Sequence, residues 1–301
     1  MRLGAQDLEH QVNESAVCFD CHGSPLVGVL HRAANAKRRG VLIVVAGGPQ
    51  YRVGGHRQLV LWSRRLAAEG YPTFRFDFRG VGDGYGDFGG YEVIDDDIRS
   101  ALDCFTAQVR ELDEIVLWGE CNAASAMLFY AFRDPRVKGL VMLNPWVRSE
   151  AGQARALLRH YYLDRLRQPS FWRKLLTFRF DPFTSLRSAF QLMQSARKQA
   201  PAATASTGDQ MAAALSRDLP LADRMLAGLS RFSGPLVIMV SGRDLIAREF
   251  DDLLRDSRPW RDEIARKATT RHDLPDADHT FSSAEQREQV VTLGLAWLRT
   301  W

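Results

Sequence analysis

Trp118-Gly119-Glu120-Cys121-Asn122-Ala123-Ala124 is the stretch whose reading decides the fold. It closes the apolar run EIVLWG (114–119) and opens CNAASAMLFYAFR (121–133), which reads as a helix. A strand that passes straight into a helix leaves one residue on a sharp turn. Gly119 and Ala123, small residues on either side of Cys121, give that turn room to close. A cysteine so placed is a competent nucleophile once a base or the helix N-terminus favours its thiolate. The competing reading is a buried structural cysteine at a strand–helix junction.

The same rhythm runs outward in both directions. SAVCFDCHG and LVGVLHR read as two N-terminal strands, turned at Gly23-Ser24-Pro25. VLIVVAGG (41–48) is a β-branched run of the kind buried on both faces, and HRQLVLWSRRLAAEG (56–70) is an amphipathic helix ended by Gly70. PTFRFDF (72–78) is a strand closed by the loop RGVGDGYGDFGG, and EVIDDDIRSALDCFTAQV is a helix. VKGLVMLNP (137–145) and PLVIMVSGRD (235–244) are further strands. A helix around AREFDDLLRD, a strand IARKATTRH (264–272) and a last helix AEQREQVVTLGLAWLRTW complete the pattern. Alternating strands and helices predict an α/β fold with a mainly parallel sheet and helices on both faces. The rhythm breaks between 147 and 230, where basic, aromatic helical sequence and an Ala/Ser/Thr stretch intervene. We therefore expect the core in two parts, 1–146 and 231–301, interrupted by a helical cap with a flexible linker at 147–230.

If Cys121 is a nucleophile, its acid and histidine should follow it in that order, each after a later strand. Asp244 stands just beyond PLVIMVSGR, and His279, among 7 histidines, combines the right order with the right loop. Asp276 and Asp278 rival Asp244 but share the loop of His279, where solvated turn roles suit them. An oxyanion hole would draw on the backbone N–H of Asn122 and on the loop AGGPQ (46–50), with Gly48 preferred and Gln50 second, since Pro49 has no N–H. Gln50, Arg52, His56, Glu120 and, in the cap, Trp172 are candidates for substrate contact. For Arg52 a loop held by its own hydrogen bonds is the equal alternative, and for His56 a helix cap. Glu120 would orient the thiol or disfavour its ionisation by charge.

The core resembles an α/β hydrolase. The runs GGPQYRVGGHRQ (47–58), DFRGVGDGYGDF (77–88), GECNAASA (119–126) and SGRDLIAREF (241–250) resemble the exosortase A system-associated hydrolase 1 family and, more distantly, the dienelactone hydrolases. The resemblance implies the α/β-hydrolase fold and a Cys121–His279–Asp244 triad. It implies hydrolysis of an ester or thioester through an acyl-enzyme, without settling the substrate. Two alternatives are carried: an acyltransferase that passes the same acyl group to an amine or alcohol, and a non-catalytic binding protein on the same fold. The expected partner is a small acyl ester or thioester, which a carrier could present.

Other motifs exclude more than they add. CFDCH (18–22) spells a haem-attachment pattern, but it reads as a strand entering a turn, and no second ligand pair stands at zinc spacing. No metal and no cofactor are expected. The Gly-rich loop after PTFRFDF lacks the Lys-Ser/Thr of a phosphate cradle, and Asp77 and Arg79 are expected to fix it. Cys104 falls on the apolar side of its helix. The cap run RALLRHYYLDRLRQPSFWRKLLTFRF suits a lid over the pocket, or a basic surface for a membrane or acidic carrier. The 301 residues, 46% hydrophobic and 25% charged with net charge +4, suit a globular enzyme and do not demand nucleic acid. With no apolar run of spanning length, no export signal at the N-terminus and only 4 cysteines, a cytoplasmic protein is expected, without stable membrane insertion. Oligomeric state is left open.

Overall fold

The computed structural model describes residues 13–45, 50–147, 216–267 and 269–301. Eight strands form one sheet: β1 (Asn13–Cys21), β2 (Ser24–Arg32), β3 (Arg39–Val44), β4 (Thr73–Phe76), β5 (Glu114–Glu120), β6 (Val137–Leu143), β7 (Leu236–Ser241) and β8 (Thr269–Leu274). Their order is β1-β2-β4-β3-β5-β6-β7-β8. β1 and β2 are antiparallel, β2 meets β4 antiparallel, and every other pairing is parallel. The described helices are α1 (Gln58–Ala68), α2 (Asp95–Gln108), α3 (Asn122–Tyr130), α4 (Leu221–Arg231), α5 (Leu245–Asp256), α6 (Arg258–Arg266) and α7 (Ala284–Leu298). None is long and apolar enough to cross a membrane.

Why these runs take these places follows from burial. β7 (LVIMVS) is buried at every position, and β3, β5 and β6 nearly so, as strands covered on both faces must be. β1 alternates exposed with partly buried residues, as an edge strand does. Neighbouring side chains of β5 show the two layers. Trp118 packs against Trp62 of α1 and the face of Gly294 in α7, while Gly119 faces Ala123 and Met127 of α3.

Two expectations are corrected. The first hairpin turns at His22-Gly23, not at Gly23-Ser24-Pro25: both residues have positive φ (51° and 81°), which suits the right-handed twist of a two-residue hairpin. Residues 264–266, expected in a strand, belong to α6, where Trp260 is fully buried and Ile264 packs on the core; the strand begins only at Thr269. Within the segment expected as cap, α4 lies on the core. A Cβ on its Gly228 would stand 2.0 Å from the carbonyl oxygen of Leu128 in α3. The rest of that segment, 148–215, lies outside the described residues.

The chain leaves β3 for β4 on one side and returns to β5 on the other. Such a reversal opens a crevice at the carboxyl ends of β3 and β5, because the connections diverge there. Cys121 follows β5 at that point.

Candidate active site

Cys121 occupies the turn between β5 and α3 with φ 57° and ψ −125°, a conformation costly for any residue with a Cβ. The turn is held from several sides. The Cys121 N–H donates to Leu143 O (2.8 Å), and its carbonyl accepts from Ala124 N (3.1 Å) and Trp146 N (3.2 Å). The hydroxyl of Ser125 in turn donates to the Trp146 carbonyl. A Cβ on Gly119 would come within 3.0 Å of the Ala123 carbonyl carbon and the Met127 sulfur, so the strand can meet the helix this closely only with a glycine there. Asn122 opens α3, and its N–H stands at the helix N-terminus, where backbone donors face outward.

His279 Nδ1 lies 2.7 Å from Asp244 Oδ2, and the imidazole also hydrogen-bonds the Cys121 sulfur. Burial works against charge on this ring. The hydrogen bonds to Asp244 and Cys121, with the negative charge of both, more than offset it and push His279 up to about 10. Asp244 is buried and caps α5: its Oδ1 accepts from Ile246 N (2.9 Å) and its Oδ2 from Ala247 N (3.3 Å). The rival carboxylates are used elsewhere. Asp276 is exposed and pairs with Arg243. Asp278 accepts from Thr280 N, Ser282 N and the Ser282 hydroxyl. Despite burial, these bonds and the charge of His56 hold it below the usual carboxylate range.

The histidine loop is fastened by residues the sequence did not single out. Asn144, buried and at φ 44°, donates from Nδ2 to Ser241 Oγ (2.9 Å) and to the His279 carbonyl (3.0 Å). Its Oδ1 accepts from Ser241 N (2.8 Å), and Ser241 Oγ donates to the Asp278 carbonyl (2.9 Å). The ends of β6 and β7 thus carry His279 between them. Tyr91, in the loop before α2, was also missed. Burial, then the charge of Glu92 and of Cys121, pushes its hydroxyl up to about 12, while the Trp146 indole N–H donates to it.

The candidate substrate contacts divide. Gln50 Nε2 and the Thr280 side chain both lie within 3.8 Å of where a Cβ on Gly55 would stand, so its loop borders that of His279. His56 and Arg57 follow at φ 52° and 61°; neither caps α1 with its side chain, so the helix-cap alternative for His56 falls. Arg52 is committed to the loop. Its side chain pairs with Asp77 and Asp83 (2.6 Å), its N–H donates to Asp77 Oδ1 (2.6 Å), and its carbonyl accepts from Arg75 (3.0 Å). Asp77 also accepts from Asp83 N (3.0 Å), and Arg79 grips Asp97 with two nitrogens, so these two residues fix the Gly-rich loop. Glu120, expected at the substrate, instead points into the core. It is 4% exposed and accepts from Gln58 Nε2, and burial pushes it up to about 7. Gly48 and Trp172 lie outside the described residues.

The N-terminal cysteines share no site. Three positions apart on β1, Cys18 and Cys21 face opposite sides of the sheet, one exposed and one buried. Among the described residues no cluster of three or more His, Cys, Asp or Glu could hold a metal ion. Cys104 packs against the core, and burial pushes its thiol up to about 11.

A family model described as alpha/beta hydrolase family matches residues 42–293. The chain belongs to that family. Solved structures share its fold. Esterase Pf2001 from Pyrococcus furiosus superposes with a TM-score of 0.63 at 14% identity, over 100% of this chain and 95% of its own. The esterase domain of a Rhodothermus marinus protein gives 0.57 at 18% identity, over 95% and 98%. Dienelactone hydrolase from Anabaena variabilis ATCC 29413 gives 0.58 at 14%, over 97% and 99%. No curated protein matches the sequence.

Proposed function

We propose that this alpha/beta hydrolase cleaves an ester or thioester through a covalent acyl group on Cys121. The observation that carries the reading is the position of His279, bonded to the Asp244 carboxylate at 2.7 Å and to the Cys121 sulfur on its other side. In this reading the thiol proton already rests on His279, and the Cys121 thiolate paired with that imidazolium attacks the substrate carbonyl. The oxyanion that forms is held by the Asn122 N–H and, from the loop after β3, that of Gly48. His279 then protonates the leaving alcohol or thiol, the carbonyl reforms, and an acyl-thioester remains on Cys121. Water, deprotonated by the same imidazole, attacks that thioester and frees the acid and the thiol. Asp244 keeps the ring in the tautomer that presents Nε2 to the sulfur and stabilises the imidazolium.

Esterases and a dienelactone hydrolase among the structural neighbours support ester chemistry on this scaffold. The runs at 47–58, 77–88, 119–126 and 241–250 support a place near the exosortase A system-associated hydrolases. Residues 147–220, ahead of the core-packed α4, are proposed as the cap that selects the acyl group, and Trp172 as one of its substrate contacts. The test is a pulse of an activated acetyl ester followed by mass spectrometry of the quenched protein. An acetyl group on the peptide containing Cys121, absent from Cys121→Ala, is the expected result. Turnover by Cys121→Ala within about tenfold of wild type removes the cysteine as nucleophile.

A further inference from the structure

Beneath Cys121 lies a pair of side chains that this mechanism does not use. Glu120 ends β5 and Gln58 opens α1; the Gln58 side chain is fully buried, and Glu120 is 4% exposed. One hydrogen bond joins them, from Gln58 Nε2 to Glu120 Oε2. The remaining polar atom of each side chain, Glu120 Oε1 and Gln58 Oε1, is buried with no partner. A carboxylate and an amide oxygen both only accept, so neither can satisfy the other while Glu120 is ionised. A single proton on Glu120 Oε1 resolves both vacancies: the acid donates to the amide oxygen while the amide donates to the acid.

We propose that Glu120 is a positioning residue that works as a neutral acid, closing a reciprocal two-bond ring with Gln58 that ties the entrance of α1 to the strand end bearing Cys121. The charged and titratable groups around it make the neutral form the useful one. His279, Asp244 and Asp278 face it from the loops after β7 and β8, and Cys121 adjoins it in the chain. An ionised Glu120 would add negative charge beside a sulfur that must itself become an anion, next to two further carboxylates. Burial, the largest influence on this carboxyl, favours its proton; Asp244 and Asp278 add to it, and the charge of His279 and the hydrogen bond from Gln58 oppose it without overcoming it. The ring also gives the loop before α1 an anchor at its far end. That loop carries His56 and Arg57 in the left-handed region, and Arg52 holds its near end to Asp77.

Infrared spectroscopy of the whole protein, with glutamate 13C-labelled at the side-chain carboxyl, reads the proton directly. A protonated-carboxyl C=O band present at pH 5.5 and titrating away with a midpoint of about 7 is expected. It should be lost in Glu120→Gln and shifted in frequency, with its intensity kept, in Gln58→Leu. The label separates the band from Asp95, whose carboxyl burial also lifts. Wild-type spectra alone decide the matter if either variant fails to fold. A glutamate spectrum with no protonated band above pH 6, or one that Glu120→Gln leaves untouched, overturns the proposal.

A second readout separates positioning from mere packing. The pH profile of Cys121 alkylation by iodoacetamide should carry an inflection near 7 in wild type that Glu120→Gln lacks. Profiles of the same shape in both proteins overturn the coupling to the sulfur. The consequence for the sulfur rests on Cys121 as the nucleophile. The infrared band does not, so failure of one reading is visible apart from failure of the other.

Discussion

At the scale of single residues, the reacting pair depends on a few short distances. In the proposed mechanism Cys121 and His279 act as one unit, so His279→Ala should lower kcat/KM about as far as Cys121→Ala, by roughly a thousandfold or more, and the double variant should add little. Steady-state rates with an activated ester check this; losses that multiply would place His279 in another role. Asn144→Ala should leave the reacting side chains in place but release the His279 carbonyl and Ser241. A displaced base costs on the order of ten- to a hundredfold in kcat with KM little changed, which the same assay resolves. Cys121, Asp244 and His279 were legible because each follows an apolar run at a loop where strand ends meet. The grip of Gln58 on Glu120 was not, because it joins residues 62 apart and exists only once α1 packs on β5. Arg52 was legible only as two equal readings, and its partners Asp77 and Asp83 in space favour the loop held by its own hydrogen bonds.

Elements were legible where their period was unambiguous. The apolar runs of β3, β5, β6 and β7 have no competing reading, since only strands buried on both faces are apolar at nearly every position. α6 was missed because IARKATT alternates small, apolar and charged residues in a way that suits strand or helix; the burial of Trp260, outside that window, decides it. α4 was hidden in a segment read as cap, although its contact with α3 is among the tightest in the molecule. Gly228→Ala should push the helices apart and destabilise the fold by about 1–3 kcal/mol. A lower urea midpoint at unchanged slope would record it; an unchanged midpoint would mean α4 is not part of the cooperative unit.

For the whole molecule, His279 links the site to stability. Its imidazole, lifted from 6.5 to about 10, keeps in the native state a proton that the unfolded chain releases. The resulting stabilisation is complete below pH 6.5 and is lost as pH rises towards 10. Chemical denaturation across that window should show a steeper decline in wild type than in His279→Ala; parallel declines would mean the imidazolium is not held by its neighbours. The sheet order adds a consequence in time. Cys121 and the strands around it precede residue 147, whereas Asp244 and His279 arrive only with β7 and β8, and β7 must pair with β6 before either meets the sulfur. During synthesis the cysteine therefore emerges long before His279. A nascent or truncated chain would carry the thiol without the imidazole proposed to activate it, and the proposed reactivity would appear only when the last strands have docked.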